Sequence, residues 1–435
     1  MDTFASLGLS AFFINRLKER NIHCPTAIQR KVIPQLLSGE SFIFRSATGT
    51  GKTFAYLLPL LERLKALLYP DRSFTPGNGK QDACAEEGPV NGAALTAEGP
   101  GTGERQIVTS VLLGKPLLLI AAPTFELCSQ IKDEIDFLLE NAPVSIHSGL
   151  FIGSASPGRQ IEVLKRDRPE VIVGNPGRIL MLVKMGKLKL RNIRFLVLDE
   201  GDRLTHDELL GETRELVSLL KPPFQAASCS ATIPAKNRQL LLSLMGLTPS
   251  SAAGKVVDDS NEDVLKEKVE HWAFFSHERE KTVLLRSIIA ALKGKSSLKA
   301  LIFTGRGNQV ENIVSRLWHY KLPAAGLWGG MDKTSRRKAL DAFRSGETRF
   351  LVTSDLAARG LDITGISHVI ALDVSEDRNI YIHRAGRTAR AGKYGVMISI
   401  GTEGEMRRLS ALEKTLGITV YPKVLYGGRI QAPDV

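Results

Sequence analysis

Residues 46–53 read Ser-Ala-Thr-Gly-Thr-Gly-Lys-Thr. A short apolar run over residues 42–44 precedes this stretch, and a helical apolar pattern over residues 54–68 follows it. A strand, a glycine-rich loop and a Lys-Thr pair that opens a helix together form a phosphate-binding loop. Glycines let the backbone N–H groups turn toward an anion, and the helix N-terminus adds positive potential. The stretch therefore predicts a nucleotide-phosphate site on an α/β fold.

The residues of this loop have separate expected roles. Lys52 is expected to reach the β and γ phosphates of a nucleotide, and the Thr53 hydroxyl to hold Mg²⁺. Because Ser46 stands where the strict pattern has glycine, the loop alone predicts a binder of nucleotide phosphates, and a glycine-rich turn is the alternative. The residues expected around the nucleotide are Ala47, Thr48, Gly49, Thr50, Gly51, Lys52 and Thr53.

The composition is that of a soluble globular protein. The chain has 435 residues, enough for two domains of ordinary size, with 43% apolar and 24% charged residues. No apolar run approaches the length of a membrane span, and the first residues contain no targeting segment. The cysteines at positions 24, 84, 128 and 229 are scattered, which indicates a reducing, cytoplasmic compartment and no zinc site.

The net charge points to a class of partner. The chain carries a charge of +12, from 58 Lys and Arg against 46 Asp and Glu. A basic balance of this size fits a polyanion such as nucleic acid, although a generally basic soluble protein has the same composition. Because the sequence has no dense Lys/Arg tail, a binding surface has to be assembled by folding.

Patterns along the chain predict two domains. Short apolar runs alternate with helical patterns through residues 1–247 and again through residues 265–435, which predicts a parallel α/β sheet in each part. One of the strands expected in the first part covers residues 144–147. Residues 70–107 are rich in Gly, Pro, Ala and Glu and are interpreted as a flexible surface insertion. Residues 248–264 are interpreted as the linker between the domains.

An acidic run, Asp199-Glu200-Gly201-Asp202, ends one of the predicted strands. Ligands of open α/β sheets bind at the carboxyl ends of the strands. With a phosphate loop upstream, we expect Asp199 to anchor Mg²⁺ and Glu200 to orient and deprotonate the attacking water. The alternative is an acidic helix cap, because Asp202 precedes Arg203.

These segments resemble the DEAD-box family of RNA helicases, with Asp-Glu-Gly-Asp at 199–202 instead of Asp-Glu-Ala-Asp. The resemblance is an ordered series of motifs that covers almost the whole chain outside 70–107. It implies two RecA-like domains, ATP and Mg²⁺ as ligands, and RNA as substrate. It also implies that Gln29 bonds the adenine edge and that Phe4 stacks on the ring. Thr26 and Gln29 also have the spacing of a capping box, and both interpretations stay open.

Further motifs of the first part resemble the family's RNA and coupling segments. Phe125 replaces the arginine of the first RNA motif, and Asn175 replaces the threonine of another. The resemblance implies that Ser230, Ala231 and Thr232, with Asp202, couple the carboxylate site to bound RNA. The residues that it assigns to RNA here are Pro123, Thr124, Gly149, Pro176, Gly177 and Arg178.

The second part continues the series. Residues 383–390 read His-Arg-Ala-Gly-Arg-Thr-Ala-Arg, and the resemblance implies that Arg387 and Arg390 are arginine fingers in a catalytic group with His383. It implies that Asp362 binds the ribose. Trp328 and Lys333 depart from the family pattern. The residues assigned to RNA in this part are Thr304, Gly329, Arg336, Ser354, Asp355, Arg359 and Gly360.

The resulting interpretation is an ATP-dependent RNA helicase that grips the RNA backbone with weak sequence selectivity and separates strands locally. We expect a monomer without a membrane partner, and ribonucleoprotein or ribosome-assembly partners fit the resemblance. Two alternatives stay open. One is an RNA clamp that binds ATP with little hydrolysis, and the other is a DNA-directed P-loop ATPase.

Overall fold

The structure, a computed structural model, describes residues 2–46, 49–70, 112–230, 233–247, 256–259, 267–292, 298–305, 308–358, 363, 365–389 and 393–433. Apart from residues 45–50, the first compact unit extends to Val257 and the second begins at Asp258. None of the helices in the described ranges combines the length and the apolar character needed to cross a membrane.

A seven-stranded sheet organises the first unit, with strand order β3-β4-β2-β5-β6-β1-β7. The pairs β3–β4, β4–β2, β2–β5 and β5–β6 are parallel. Every residue of β2, β4 and β5 is buried, as expected for parallel strands that helices cover on both faces. The strands are β1 Phe42–Ser46, β2 Leu118–Ala121, β3 Ser148–Phe151, β4 Val171–Gly174, β5 Phe195–Asp199, β6 Gln225–Ser230 and β7 Val256–Asp259.

Amphipathic helices cover this sheet and bury their apolar side chains against it. They are α1 Ala11–Glu19, α2 Ala27–Leu37, α3 Lys52–Leu68, α4 Phe125–Leu139, α5 Pro157–Arg166, α6 Pro176–Lys184, α7 Gly201–Leu204, α8 Asp207–Ser218 and α9 Ala235–Leu244. Pro157 and Pro176 stand in the first turns of α5 and α6, where proline's fixed φ favours a helix start.

The second unit repeats the architecture, with strand order β10-β11-β9-β12-β13-β8-β14 and parallel registered pairs. Its strands are β8 Val269–Phe275, β9 Ala300–Phe303, β10 Ala324–Leu327, β11 Phe350–Thr353, β12 His368–Ala371, β13 Gly395–Gly401 and β14 Val420–Pro422. Its helices are α10 Lys281–Leu292, α11 Asn308–His319, α12 Lys333–Ser345, α13 Asp355–Ala358, α14 Arg378–Ala385 and α15 Glu403–Leu416. An antiparallel hairpin, β15 Val424–Tyr426 and β16 Arg429–Gln431, follows.

One carboxylate ties α15 to α10 in this unit. Glu405 accepts hydrogen bonds from Lys281 Nζ (2.7 Å), from the Thr402 N–H (2.8 Å) and from the Val374 N–H (3.2 Å). Burial alone would raise the pKa of Glu405, but the bonds from Lys281 and Thr402 lower it below its ordinary value. The carboxylate is therefore ionised at neutral pH and stabilises the fold in that form.

The predicted fold class is confirmed, because two parallel sheets flanked by helices are present. The strand predicted at 144–147 forms later in the sequence, as β3 at Ser148–Phe151. Its parallel ladder with β4 begins where the Val171 N–H donates to the His147 carbonyl, and it continues through Phe151. Within the predicted linker, Val256–Asp259 form the edge strand β7. The rest of that linker, and residues 71–107 of the predicted insertion, lie outside the described residues.

Candidate functional site

The phosphate loop joins β1 to α3 with the expected glycine geometry. Gly49 and Gly51 have φ values of 80° and 88°, in the left-handed region that favours glycine. A Cβ at Gly51 would also lie 2.5 Å from Nε2 of Gln29. Both the backbone angle and the lack of space therefore favour glycine at this position. The hydroxyls of Ser46 and Thr50 lie 2.7 Å apart, which closes the loop on itself. Ser46 thus has a use that glycine lacks.

Lys52 and Thr53 form the first turn of α3, a helix of 17 residues. Burial lowers the pKa of Lys52, while the surrounding Cys229, Asp199 and Glu200 oppose that shift. The amino group of Lys52 is therefore desolvated and interacts with the carboxylates that end β5. A cation in such surroundings favours an anionic ligand.

Asp199 ends β5 with its carboxylate held from three sides. Tyr56 Oη donates to Oδ2 at 2.8 Å, and Cys229 Sγ donates to Oδ1 at 2.9 Å. The Glu200 N–H also donates to Oδ1, at 2.8 Å. Burial, with the negative charge of Asp199, raises the pKa of Tyr56 and of Cys229 well above their ordinary values. Both groups are therefore protonated at neutral pH and act as donors.

Glu200 adopts left-handed backbone angles, φ 49° and ψ 52°, directly before α7. Such a conformation costs a non-glycine residue about 1–3 kcal/mol and is common at functional sites. The loop that follows is anchored to α9, because Asn237 Nδ2 donates to the Asp202 carbonyl (3.0 Å) and to Thr205 Oγ1 (3.0 Å). Asn237 therefore ties the carboxylate loop to α9, the helix that comes after the predicted coupling residues in sequence.

The two predicted adenine-binding residues are built into the fold. Gln29 and Thr26 form a complete capping box at the start of α2. The Gln29 side chain also donates from Nε2 to the Gly51 carbonyl at 3.1 Å, so its amide connects α2 with the phosphate loop. Phe4 is only 2% exposed and packs in the apolar core. Their contact with adenine stays a prediction.

The RNA residues predicted for the first unit lie after β2 and β4, apart from Gly149, which belongs to the neighbouring strand β3. Pro123 and Thr124 follow β2, and Thr124 caps α4 by accepting from the Leu127 N–H at 3.3 Å. Gly149 lies within β3, where a Cβ would meet the ring of Phe151 at 2.6 Å. Because β3, β4 and β2 are adjacent in the sheet, their carboxyl ends form one edge.

Hydrogen bonds connect the loops along this edge. Asn175 Nδ2 donates to the Ala122 carbonyl at 2.9 Å, and Arg178 Nη2 donates to the Gly153 carbonyl at 2.6 Å. Pro176 and Gly177 form the first turn of α6. A Cβ at Gly177 would lie 2.6 Å from a carboxylate oxygen of Glu212. The predicted residues that follow β2 and β4 are thus brought together.

The second unit arranges its predicted RNA residues in the same way. Thr304 follows β9, Gly329 follows β10, and Ser354 follows β11, and these strands are neighbours in the sheet. Thr304 Oγ1 donates to Gln309 Oε1 at 2.8 Å. Trp328 is half-buried and packs against β10 in the apolar core. Carboxyl ends of three adjacent strands again form one edge.

Arg384 connects the segments that follow β11 and β12. Its Nε and Nη2 donate to both carboxylate oxygens of Asp355, each at 2.7 Å. It also donates to the Asp373 carbonyl (2.8 Å) and carboxylate (2.9 Å). Burial alone would lower the pKa of Arg384, but the two aspartates raise it above the ordinary arginine value. Burial also raises the pKa of Asp373, and Arg384 opposes that shift. The cluster is an ionic centre of the second unit, in which a buried arginine bonds to two partly exposed aspartates.

The remaining predicted residues divide into described and undescribed ones. Arg336 Nη2 donates to the Ala357 carbonyl at 2.8 Å, His383 lies on α14, and Arg387 is 5% exposed directly after that helix. Eight residues lie outside the described part of the chain: Ala47, Thr48, Ala231, Thr232, Arg359, Gly360, Asp362 and Arg390.

The first unit fits a magnesium–nucleotide complex by its donor chemistry. No group of three or more His, Cys, Asp or Glu among the described residues could hold a metal ion on its own. Magnesium is usually held by one or two carboxylates together with substrate phosphates. Asp199 with the Thr53 hydroxyl, beside the glycines of the phosphate loop, supplies that kind of site.

Sequence reasoning missed Tyr56, Cys229, Asn237 and Arg384. Tyr56 lies one helical turn after Lys52, so its spacing was a usable signal. Cys229 pairs with Asp199 across parallel strands, a register that the sequence alone does not reveal.

Comparison with known proteins gives consistent results. The DEAD/DEAH box helicase profile matches residues 26–241, and the helicase conserved C-terminal domain profile matches residues 280–392. The chain is 31% identical over 409 residues to the DEAD-box ATP-dependent RNA helicase CshC of Bacillus cereus, covering 93% of this chain and 88% of that protein. It is 31% identical over 412 residues to CshB of Bacillus subtilis, covering 94% and 82%.

The fold also matches solved structures. Dbp5 of S. cerevisiae bound to RNA and ADP BeF3 has a TM-score of 0.76 at 23% identity, covering 97% of this chain and 96% of that one. Mss116 bound to ssRNA and UDP-BeF has a TM-score of 0.77 at 22% identity, covering 98% and 81%. The profiles, the relatives and the motif series agree, and the chain belongs to the DEAD-box helicase family.

Proposed function

We propose that the protein is an RNA-dependent ATPase that couples hydrolysis of Mg-ATP to local separation or remodelling of RNA duplexes. One observation carries the proposal. The first sheet presents the phosphate loop and the acidic loop at the ends of β1 and β5, and RNA motifs at the ends of β2 and β4, next to the strand β3 that contains Gly149. Relatives named ATP-dependent RNA helicases support the choice of ATP and RNA.

The residues of the first unit have defined parts in this reaction. Lys52 binds the phosphates and neutralises charge that develops as the bond between the γ-phosphorus and its bridging oxygen breaks. Glu200 orients a water, whose oxygen bonds to the γ-phosphorus and whose proton passes to the carboxylate. Magnesium, held by Asp199 and Thr53, would supply charge neutralisation of the β and γ phosphates.

The second unit supplies the remaining groups. We assign Arg387 and Arg390 as arginine fingers, a role that is worth roughly 10³–10⁵ in rate where it has been measured. His383 joins this catalytic group, and Asp362 binds the ribose. The strand ends that carry Thr304 and Ser354 bind the RNA backbone.

Backbone recognition sets the expected behaviour toward RNA. Affinity should fall with salt because bound counterions are released, and sequence selectivity should be weak. We further propose that the protein is a monomer. We also propose a cytoplasmic location, which the free thiols of Cys24, Cys128 and Cys229 support. Ribonucleoprotein or ribosome-assembly factors are the proposed class of partner.

Steady-state ATPase activity of the full chain tests the function. We expect turnover that single-stranded or duplex RNA stimulates and that DNA of the same length does not. Glu200→Gln should bind a fluorescent ATP analogue as the wild type does and lose nearly all turnover, because it keeps the side-chain shape without a base.

Each contrary result has a specific meaning. ATP binding without turnover in RNA would favour the RNA clamp, and equal stimulation by DNA would favour a DNA-directed ATPase. Normal turnover of Glu200→Gln would refute the role given to that carboxylate.

A further inference from the structure

The carboxylate of Asp199 has little capacity left for a ligand. An ionised carboxylate offers about four acceptor positions, two on each oxygen. Cys229 and the Glu200 N–H occupy both positions of Oδ1, and Tyr56 occupies one position of Oδ2. Among the residues that the structure describes, these are the donors to Asp199, which leaves one acceptor position on Oδ2. Asp199 itself is only 4% exposed, so its rotamer is fixed by these donors and by packing.

The donors come from elements that also carry other parts of the site. Tyr56 lies on α3, one turn after Lys52, and is fully buried. Cys229 is the direct neighbour of Asp199 across β5 and β6, and it precedes Ser230. A shift of α3 or of β6 would therefore move the carboxylate. The arrangement matches the outer partners that orient metal-binding side chains in other proteins.

We propose that Tyr56 and Cys229 are positioning residues, whose O–H and S–H fix Asp199 so that one acceptor position, on Oδ2, serves the magnesium of the bound nucleotide. The inference rests on the proposed function, because it concerns the same nucleotide site. It adds that the thiol and the phenol determine how strongly Mg²⁺ contributes to nucleotide binding. It also predicts that Asp199 makes a single contact with the metal or with one of its water ligands.

The test measures affinity for a fluorescent, non-hydrolysable ATP analogue, once with Mg²⁺ and once with EDTA. The dissociation constant in EDTA divided by that in Mg²⁺ gives a ratio that isolates the contribution of the metal. For Tyr56→Phe and Cys229→Ala we expect this ratio to fall about tenfold, the lower end for outer partners of metal ligands. Affinity in EDTA should stay within about twofold of the wild type, because Lys52 and the phosphate loop are unchanged.

Matched controls separate positioning from general packing. Cys128→Ala truncates another fully buried cysteine of this unit, whose thiol bonds to the Ala122 carbonyl. Tyr69→Phe removes another phenol donor of this unit, which bonds to the Ser145 carbonyl at 3.0 Å. Both should leave the ratio unchanged. Cys229→Ser retains a donor at the same position and should recover most of the ratio.

The outcomes distinguish this inference from the proposed function. If the wild type binds the analogue more tightly with Mg²⁺ but both variants keep the full ratio, the positioning role is refuted and the function stands. If the ratio falls as much in the Cys128→Ala control, or if Tyr56→Phe and Cys229→Ala lose as much affinity in EDTA as in Mg²⁺, the effect is one of packing. Either result would also refute the positioning role. A wild type without Mg²⁺-dependent nucleotide binding would overturn the proposed function, and this inference with it.

Discussion

A lack of space explains why this chain has Gly201 where the family sequence Asp-Glu-Ala-Asp has alanine. A Cβ at this position would lie 2.3 Å from Ser228 Oγ and 3.0 Å from Cδ2 of Leu241. Ser228 is fully buried and its hydroxyl donates to the Leu198 carbonyl at 3.1 Å. Gly201 has no positive φ, so lack of space rather than backbone freedom requires glycine here.

The perturbation is Gly201→Ala, which restores the family sequence. Overpacking a buried site costs about 1–3 kcal/mol, and alanine in place of glycine returns up to about 1 kcal/mol within a helix. We expect a net loss of about 1–2 kcal/mol in the unfolding free energy of the first unit. At an m-value of about 2 kcal/mol per molar urea, the midpoint falls by roughly 0.5–1 M.

A second substitution tests the cause. Ser228→Ala alone should cost about 1 kcal/mol, because it removes one hydrogen bond. Combined with Gly201→Ala, it also removes the atom that blocks the new methyl group. The double variant should therefore lose clearly less than the sum of the single variants, since contacting residues are not additive.

The two units can be followed separately. The three tryptophans of the chain, Trp272, Trp318 and Trp328, all lie in the second unit, so their fluorescence reports its unfolding. Far-UV circular dichroism reports both units, and the expected shift should appear there and leave the fluorescence transition in place. An unchanged midpoint for Gly201→Ala, or strict additivity in the double variant, would refute the steric explanation.

Other predictions concern single residues. Arg384→Met should lower the unfolding free energy of the second unit by about 3–5 kcal/mol, because it leaves two aspartates without their cation. As a control, Arg407→Met removes one partner of an exposed ion pair and should cost under about 0.5 kcal/mol in the same fluorescence assay. Glu405→Gln should destabilise the second unit above pH 4.5, the ordinary glutamate pKa, and the difference from the wild type should shrink as pH falls through the lowered folded-state pKa. Since the folded pKa is the lower one, a difference that grew on acidification would contradict this assignment. Phe125→Arg should lower the dissociation constant for RNA, measured by fluorescence anisotropy, and should increase the salt dependence of binding by the amount expected for about one more phosphate contact. An unchanged affinity would show that position 125 does not face the RNA.

Local patterns were sufficient to predict the phosphate loop and the acidic loop with the strands that precede them. The phosphate loop and the acidic loop are each continuous in sequence, and each follows an apolar strand. Because parallel strands put their carboxyl ends on one edge, the sequence also predicted which edge carries the chemistry. These inferences needed no knowledge of strand order.

Contacts that depend on strand order could not be predicted in this way. Tyr56 and Asp199 are 143 residues apart, and Asp199 meets Cys229 because β5 and β6 are neighbours in that register. Strand order is set by the packing of helices on both faces, which a single sequence does not display. The displaced strand β3 has a related cause, since Ser148 and Gly149 are poor strand formers that pairing with β4 overrides.

The motif around Arg384 shows that conspicuous residues need not all contact a ligand. Resemblance assigns Asp355 to RNA, yet both of its oxygens accept from Arg384 inside the second unit. A free carboxylate beside a phosphate backbone would repel it, whereas one neutralised by an arginine can hold a strand end in place. We therefore expect Asp355 to act on RNA through the position of Ser354. Asp355→Asn should then lower the unfolding free energy of the second unit, while RNA affinity, compared at equal folded fraction, stays the same. A loss of RNA affinity without a loss of stability would show direct contact.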